Sequence, residues 1–243
     1  MENNKPNYVY DNVMEINETD STRRFLANVF MWMFVALGLS ALMAFLFSND
    51  TALEQVIRDP TTLQPTGLGI VAMLSPLIFV LVMRFGLNRL SYGVLALIFV
   101  AYAAVTGISF SIILQIYATS SVLGVFLTTS IVFGIMAIAG YTTKTDLTKF
   151  GSILIMFLIG IVVASLVNMF LRSSGLQMLI SYIGVAVFVG LTAYDVQKLK
   201  NIGAGVTYGD ATASKMALMG GLTLYLDFIN LFLFLLRIFG RRR

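Results

Sequence analysis

The sequence contains no cysteine and no histidine, four prolines and one tryptophan, and only 12% of its 243 residues are charged. Without cysteine there are no disulfides, thiolate metal sites or thiol redox reactions. Without histidine there is no Ser-His or Cys-His nucleophile, no HExxH zinc site and no imidazole proton shuttle, so no enzyme is expected. The scarcity of charge is itself a class signal, because soluble domains run near 25% charged. What fills the chain instead is apolar: 58% of residues are hydrophobic, with a mean hydropathy of +0.88. In a soluble protein the net charge of +4 and pI near 9.4 would suggest nucleic acid. Here the basic residues lie mainly beside apolar runs, where they fix membrane orientation, and the expected partner is the lipid bilayer.

Residues 1–22 are polar and acidic with little helical periodicity and read as a mobile tail. Seven apolar runs follow, at roughly 25–47, 67–83, 92–114, 121–140, 152–171, 177–197 and 216–236. Each is close to the ~20 residues that cross ~30 Å of hydrocarbon as a helix. Alternating ten-residue segments of the outer-membrane barrel type are absent. The expectation is an all-α membrane protein, a seven-transmembrane-helix bundle over 23–240 with a basic end at 241–243. With the N-terminus inside, ten of the sixteen basic residues fall on the cytoplasmic side and six outside, a bias toward N-in.

The informative residues are the charges that hydrophobicity should have removed. Asp227 lies near the middle of the last span, where an acid costs about 2.5–3.5 kcal/mol on insertion scales and normally faces the bundle interior. Thr223 and Asn230, four residues before and three after, share its helical face and are candidate neighbours of a cation site. Asp195 lies late in the sixth span, ahead of Lys198 and Lys200. If that helix continues to about Gly203, the two carboxylates reach similar depth. Two carboxylates about 4 Å apart repel by about 4 kcal/mol at an effective dielectric near 20, and such a pair titrates as a unit. One shared proton makes a hydrogen-bonded bridge between two helices; full ionisation leaves repulsion or a cation. Ca²⁺ suits carboxylate oxygens but takes 6–8 ligands, so water or other oxygens must complete the shell. The competing readings are an interfacial Asp195 and plain ion pairs. Arg84, ending the second span, is in reach of Asp195, whereas Arg237 lies ten residues past Asp227, about 15 Å along a helix.

At these residues the chain resembles the Bax inhibitor-1 family, also called the transmembrane Bax inhibitor motif family, from Arg24 on. The resemblance rests on AYAAVTGISFSIIL (101–114), YTTKTDLTKFGS (141–152), VGLTAYDVQKLK (189–200) and LYLDFINLFLFLLRIFG (224–240). It implies seven helices with the last one central, and a pH-sensitive Ca²⁺ leak of a bacterial inner membrane. Asp195 and Asp227 stand at the positions of the family's proton-sensing and gating aspartates. Arg84 matches an arginine expected to exchange partners with the sixth-span aspartate, and Arg237 matches a final-helix arginine of the gate. No bound cofactor is implied; calcium and protons are the expected ligands, with other membrane proteins as further partners. Two alternatives stay open, a proton-coupled cation exchanger and a non-transporting regulator of stress or cell-death responses. One departure is the loop before the last span, with Gly203, Gly205, Gly209 and Asp210, which is longer than in compact members.

Weaker candidates read as structural. Asp146, with Lys144 and Lys149, is a solvated turn. Gln115 and Asn168 are placed for interhelical hydrogen bonding. Gly107, Ser109 and Ser111 form a small face for close helix packing, and Trp32 reads as an interfacial or core residue.

Overall fold

The computed structural model describes residues 11–59, 66–206 and 210–242, without the side chains of 11–19, 51, 52, 54, 73, 74, 76 and 77. Its elements are α1 (Asp11–Asn49), α2 (Thr51–Ile57), α3 (Gly67–Gly86), α4 (Tyr92–Ile116), α5 (Thr119–Thr142), α6 (Thr148–Leu171), α7 (Ser174–Ala204) and α8 (Ala211–Phe239). Six of them, α1 and α4 to α8, are long and apolar enough to cross a membrane, where the sequence reading gives seven spans. The remaining expected span falls on α3, a helix of 20 residues, some of whose side chains lie outside the description. Among the described residues there is no strand beyond an isolated bridge between Tyr117 and Arg242.

The helix α1 starts at Asp11, inside the segment that reads as a tail; residues 1–10 lie outside the described residues. Helix growth is cooperative, so a nucleated apolar helix extends into polar sequence at little further cost. Ser91 and Ser173 start α4 and α7 by accepting hydrogen bonds from Val94 N and Leu176 N.

Large apolar side chains face outward on α6, among them Phe157, Val163, Leu166 and Phe170. Water would not tolerate such a surface, and lipid requires it. The opposite extreme is α8, where 56% of its most apolar stretch is buried against 11% for α6. It packs on α1, α4, α5 and α7, which puts the last helix at the centre of the bundle.

Small residues set the closest crossings, as expected where lipid gives no hydrophobic drive between helices. A Cβ on Gly107 of α4 would press into the Ser40 backbone of α1, and one on Gly140 of α5 into the Ala193 backbone of α7. Pro76 in α3 has no N–H for Ala72 O, four residues earlier. That carbonyl instead accepts from Ser109 Oγ of α4 at 2.8 Å and from Ser75 Oγ at 3.2 Å. Ser109 is therefore more than a small packing residue: it ties α3 to α4 where α3 loses a backbone bond.

Candidate functional site

The site is built where α7 passes α8. As α7 runs to Ala204, Asp195 lies nine residues inside its end, about 14 Å along the axis. Asp227 lies sixteen residues into α8 and is 5% exposed. The two side chains meet at hydrogen-bonding range. Asp227 Oδ2 is buried and has no hydrogen-bond donor among the described residues. Two ionised carboxylates can only accept, so this contact becomes a hydrogen bond when one proton is added.

The α7 side of the pair is clamped. Gln197, two residues after Asp195, donates from Nε2 to Thr145 O and accepts at Oε1 from Leu147 N, both at 2.8 Å. Lys200 donates to Tyr141 O at 2.9 Å and lies over the Tyr141 ring. A Cβ on Gly151 would strike the Tyr194 ring, so α6 packs tightly on the residue before the acid. Three polar residues of one short segment thus have separate tasks: Gln197 fixes the α5–α6 connection, Lys200 the last turn of α5, and Asp195 faces inward to α8.

The other sequence candidates are not drawn into this contact. Thr223 donates to Met219 O and Asn230 to Leu226 O, each satisfied by its own helix. Arg84 is exposed at the end of α3, which packs on α4 and α2, and the cation acting on Asp195 is Lys198. Arg237 is exposed too, with its guanidinium over the Phe234 ring at 5.6 Å. Among the described residues neither arginine pairs with an aspartate; each lies in the last turn of its helix, where a long basic side chain reaches toward the headgroup level.

A cluster that the sequence reading passes over lies on the opposite face of α8. Ser40 Oγ of α1 donates to Ala103 O and lies 2.7 Å from Tyr225 Oη, both within the core. The Tyr102 and Tyr225 rings meet edge to face at 5.6 Å. Thr106 Oγ1 is buried between the two phenols in no well-aligned hydrogen bond. No pattern within a single helix reveals this cluster, since its members come from α1, α4 and α8.

Gln115 accepts from Arg58 Nη1 at 2.6 Å, and Asn168 Oδ1 accepts from Ser173 N at 3.1 Å. Neither joins two helices as expected: Arg58 lies just past α2, and the Asn168 bond closes the turn that follows its own helix. Asp146 is fully exposed and accepts from Thr148 N at 2.9 Å. The Thr148 hydroxyl, its amide and Lys149 hold that carboxyl below its ordinary value. Gly209 lies outside the described residues, and Asp210 precedes α8 without a side-chain cap bond.

As a metal site, the pair offers four carboxylate oxygens at most, and no group of three or more acidic residues occurs among the described residues. The oxygen chemistry fits a hard cation such as Ca²⁺ that keeps several waters, and falls short of a closed protein cage.

These features define a multi-span helical membrane protein whose most enclosed helix carries a buried acid facing a second acid. A family model described as "Inhibitor of apoptosis-promoting Bax1" matches residues 22–243. The inner membrane protein YbhL of Escherichia coli K12 is 46% identical over 220 residues, covering 90% of this chain and 92% of that protein. An uncharacterized protein of Borreliella burgdorferi is 42% identical over 234 residues, 96% of this chain and 98% of the other. The protein RP147 of Rickettsia prowazekii is 39% identical over 224 residues, 92% of each. The chain belongs to the Bax inhibitor-1 family.

Proposed function

We propose that the protein is a pH-sensitive Ca²⁺ leak channel of a bacterial inner membrane, with its N-terminus inside, gated by one proton shared between Asp195 and Asp227. The observation that carries this reading is the meeting of two carboxyls at the α7–α8 crossing, one of them with a buried oxygen that no group among the described residues serves. With one proton between them, the acids bridge α7 to α8. Without it both are charged, and at about 4 Å their repulsion is about 4 kcal/mol at an effective dielectric near 20. That energy suffices to shift a two-state helix arrangement by nearly a thousandfold.

The clamp on α7 decides which helix responds. Gln197 holds the end of α7 to the α5–α6 connection and Lys200 holds it to the last turn of α5, so relief of the repulsion falls to α8. Displacement of α8 turns its acid toward a water-filled path, where the two carboxylates attract Ca²⁺ and supply part of its oxygen shell.

The test is Ca²⁺ flux into liposomes carrying the purified protein, measured across a pH series. Flux should rise with pH in the wild type, and Asp227→Asn should abolish the dependence. Gel filtration of Asp227→Asn and Asp195→Asn confirms that the variants fold. A pH-dependent flux unchanged in the double variant removes the gate. Saturable flux that requires an opposing proton gradient makes the protein an exchanger, and no flux at any pH makes it a non-transporting regulator.

A further inference from the structure

Independently of the acid pair, a cavity of about 380 Å³ opens where α6 ends, α7 begins and α8 ends, lined by Ser165, Asn168, Arg172, Gln177 and Arg237 among others. It is lined by donors and holds no carboxylate. Among the described residues neither arginine is paired with an acid. Asn168 Oδ1 is taken by Ser173 N, which leaves the amide NH₂ of Asn168 to donate elsewhere. Among the described residues Gln177 uses only its backbone in hydrogen bonds, which leaves its side-chain amide to donate.

Two features hold the arginines in place. Arg172 has φ 50° and ψ 32°, the left-handed region, and is the one non-glycine residue with positive φ among those described. L side chains avoid that region, and when they adopt it the surroundings must enforce it. Here Arg172 N donates to Asn168 O at 2.8 Å, closing the turn. Arg237 rests on the Phe234 ring. The nearby Phe170, Leu171 and Phe239 are strongly exposed apolar residues, which sets the cavity at the level where hydrocarbon gives way to headgroups.

We propose that this cavity binds the phosphate of an anionic phospholipid headgroup, with Arg172 and Arg237 as charged donors and the Asn168 and Gln177 amides as neutral ones. Guanidinium groups bind phosphate oxygens through paired N–H donors, and a compensating anion is what two unpaired arginines in one cavity lack. A lipid, in place of free phosphate, follows from the apolar surface that borders the cavity.

The test is native mass spectrometry of the full-length protein in detergent, offered equal amounts of phosphatidylglycerol and phosphatidylcholine. The wild type should retain phosphatidylglycerol in preference. Arg172→Asn, which keeps a residue tolerant of the left-handed region, and Arg237→Gln should each weaken retention by about tenfold, equivalent to about 1.4 kcal/mol. Arg241→Gln combined with Arg242→Gln removes two charges at the same end but outside the cavity, and should change nothing. Equal retention of the two lipids, or equal loss in that control, overturns the proposal. Displacement of the lipid by millimolar inorganic phosphate also overturns it and assigns the cavity to a free anion. A thermal melt of each variant separates lost binding from lost fold.

Discussion

Gly107→Ala perturbs the crossing on which the centre of the bundle depends. The added Cβ would lie 2.7 Å from Ser40 Cα and 2.9 Å from Met43 Cβ, against the 3.4 Å at which ordinary contact begins. The Ser40 contacts are backbone, its carbonyl oxygen lying closer still than its Cα, so no rotamer change relieves them, and α1 and α4 must separate by at least about 0.7 Å (3.4 less 2.7). The same separation stretches the 2.7 Å bond from Ser40 Oγ to Ala103 O toward the limit of hydrogen bonding. Overpacking costs about 1–3 kcal/mol and an interhelical hydrogen bond in a membrane about 0.6, while alanine gains about 1 kcal/mol in helix propensity, so a net loss of about 1–3 kcal/mol is expected. Denaturation of detergent-solubilised protein by increasing SDS reads this directly. Gly124→Ala is the control: nothing lies within 4 Å of its added Cβ, and alanine is the better helix former by about 1 kcal/mol. Its stability should hold or rise. If Gly107→Ala is no less stable than Gly124→Ala, the reasoning about backbone contact at this crossing is wrong.

Gln197→Ala removes both 2.8 Å bonds between α7 and the α5–α6 connection. It should cost about 1–3 kcal/mol and raise amide exchange at residues 143–148; unchanged exchange there would contradict the clamp. Asp146 is held below its ordinary value by the Thr148 hydroxyl first, then by the Thr148 amide and Lys149. Because the folded value is the depressed one, its contribution is complete above the unfolded value and is lost as pH falls through the folded one. Asp146→Ala should therefore lower stability slightly at neutral pH, converge with the wild type in acid, and so flatten the acid side of a stability–pH curve; an unaltered acid slope refutes the assignment.

The fold was legible wherever composition alone decides it. Runs of about twenty apolar residues have one stable form in lipid, so α1 and α4 to α8 could be placed from the sequence. The depth of Asp227 was legible because an acid amid LTLYLDFINLFLFLL is costly unless enclosed. The meeting with Asp195 was legible only on the condition that the sixth-span helix runs on to about Gly203, and α7 ends at Ala204. Other features depend on information no local pattern carries. Ser40 and Tyr225 are 185 residues apart, and nothing near either predicts their contact. Arg84 and Arg237 are candidate partners of the acids through the family resemblance and, for Arg84, its place at a span end, but long side chains at helix ends follow the headgroups. Ser109 reads as a small packing residue because its bond answers a missing N–H on another helix.

The account stands most directly on the protonation of the acid pair. An infrared titration of the reconstituted protein should show one protonated carboxyl band that disappears over the same pH interval in which Ca²⁺ flux rises. Asp195→Asn combined with Asp227→Asn should remove both the band and the pH dependence of flux. A band that persists in that variant, or a flux profile that ignores its loss, would contradict a shared proton as the gate.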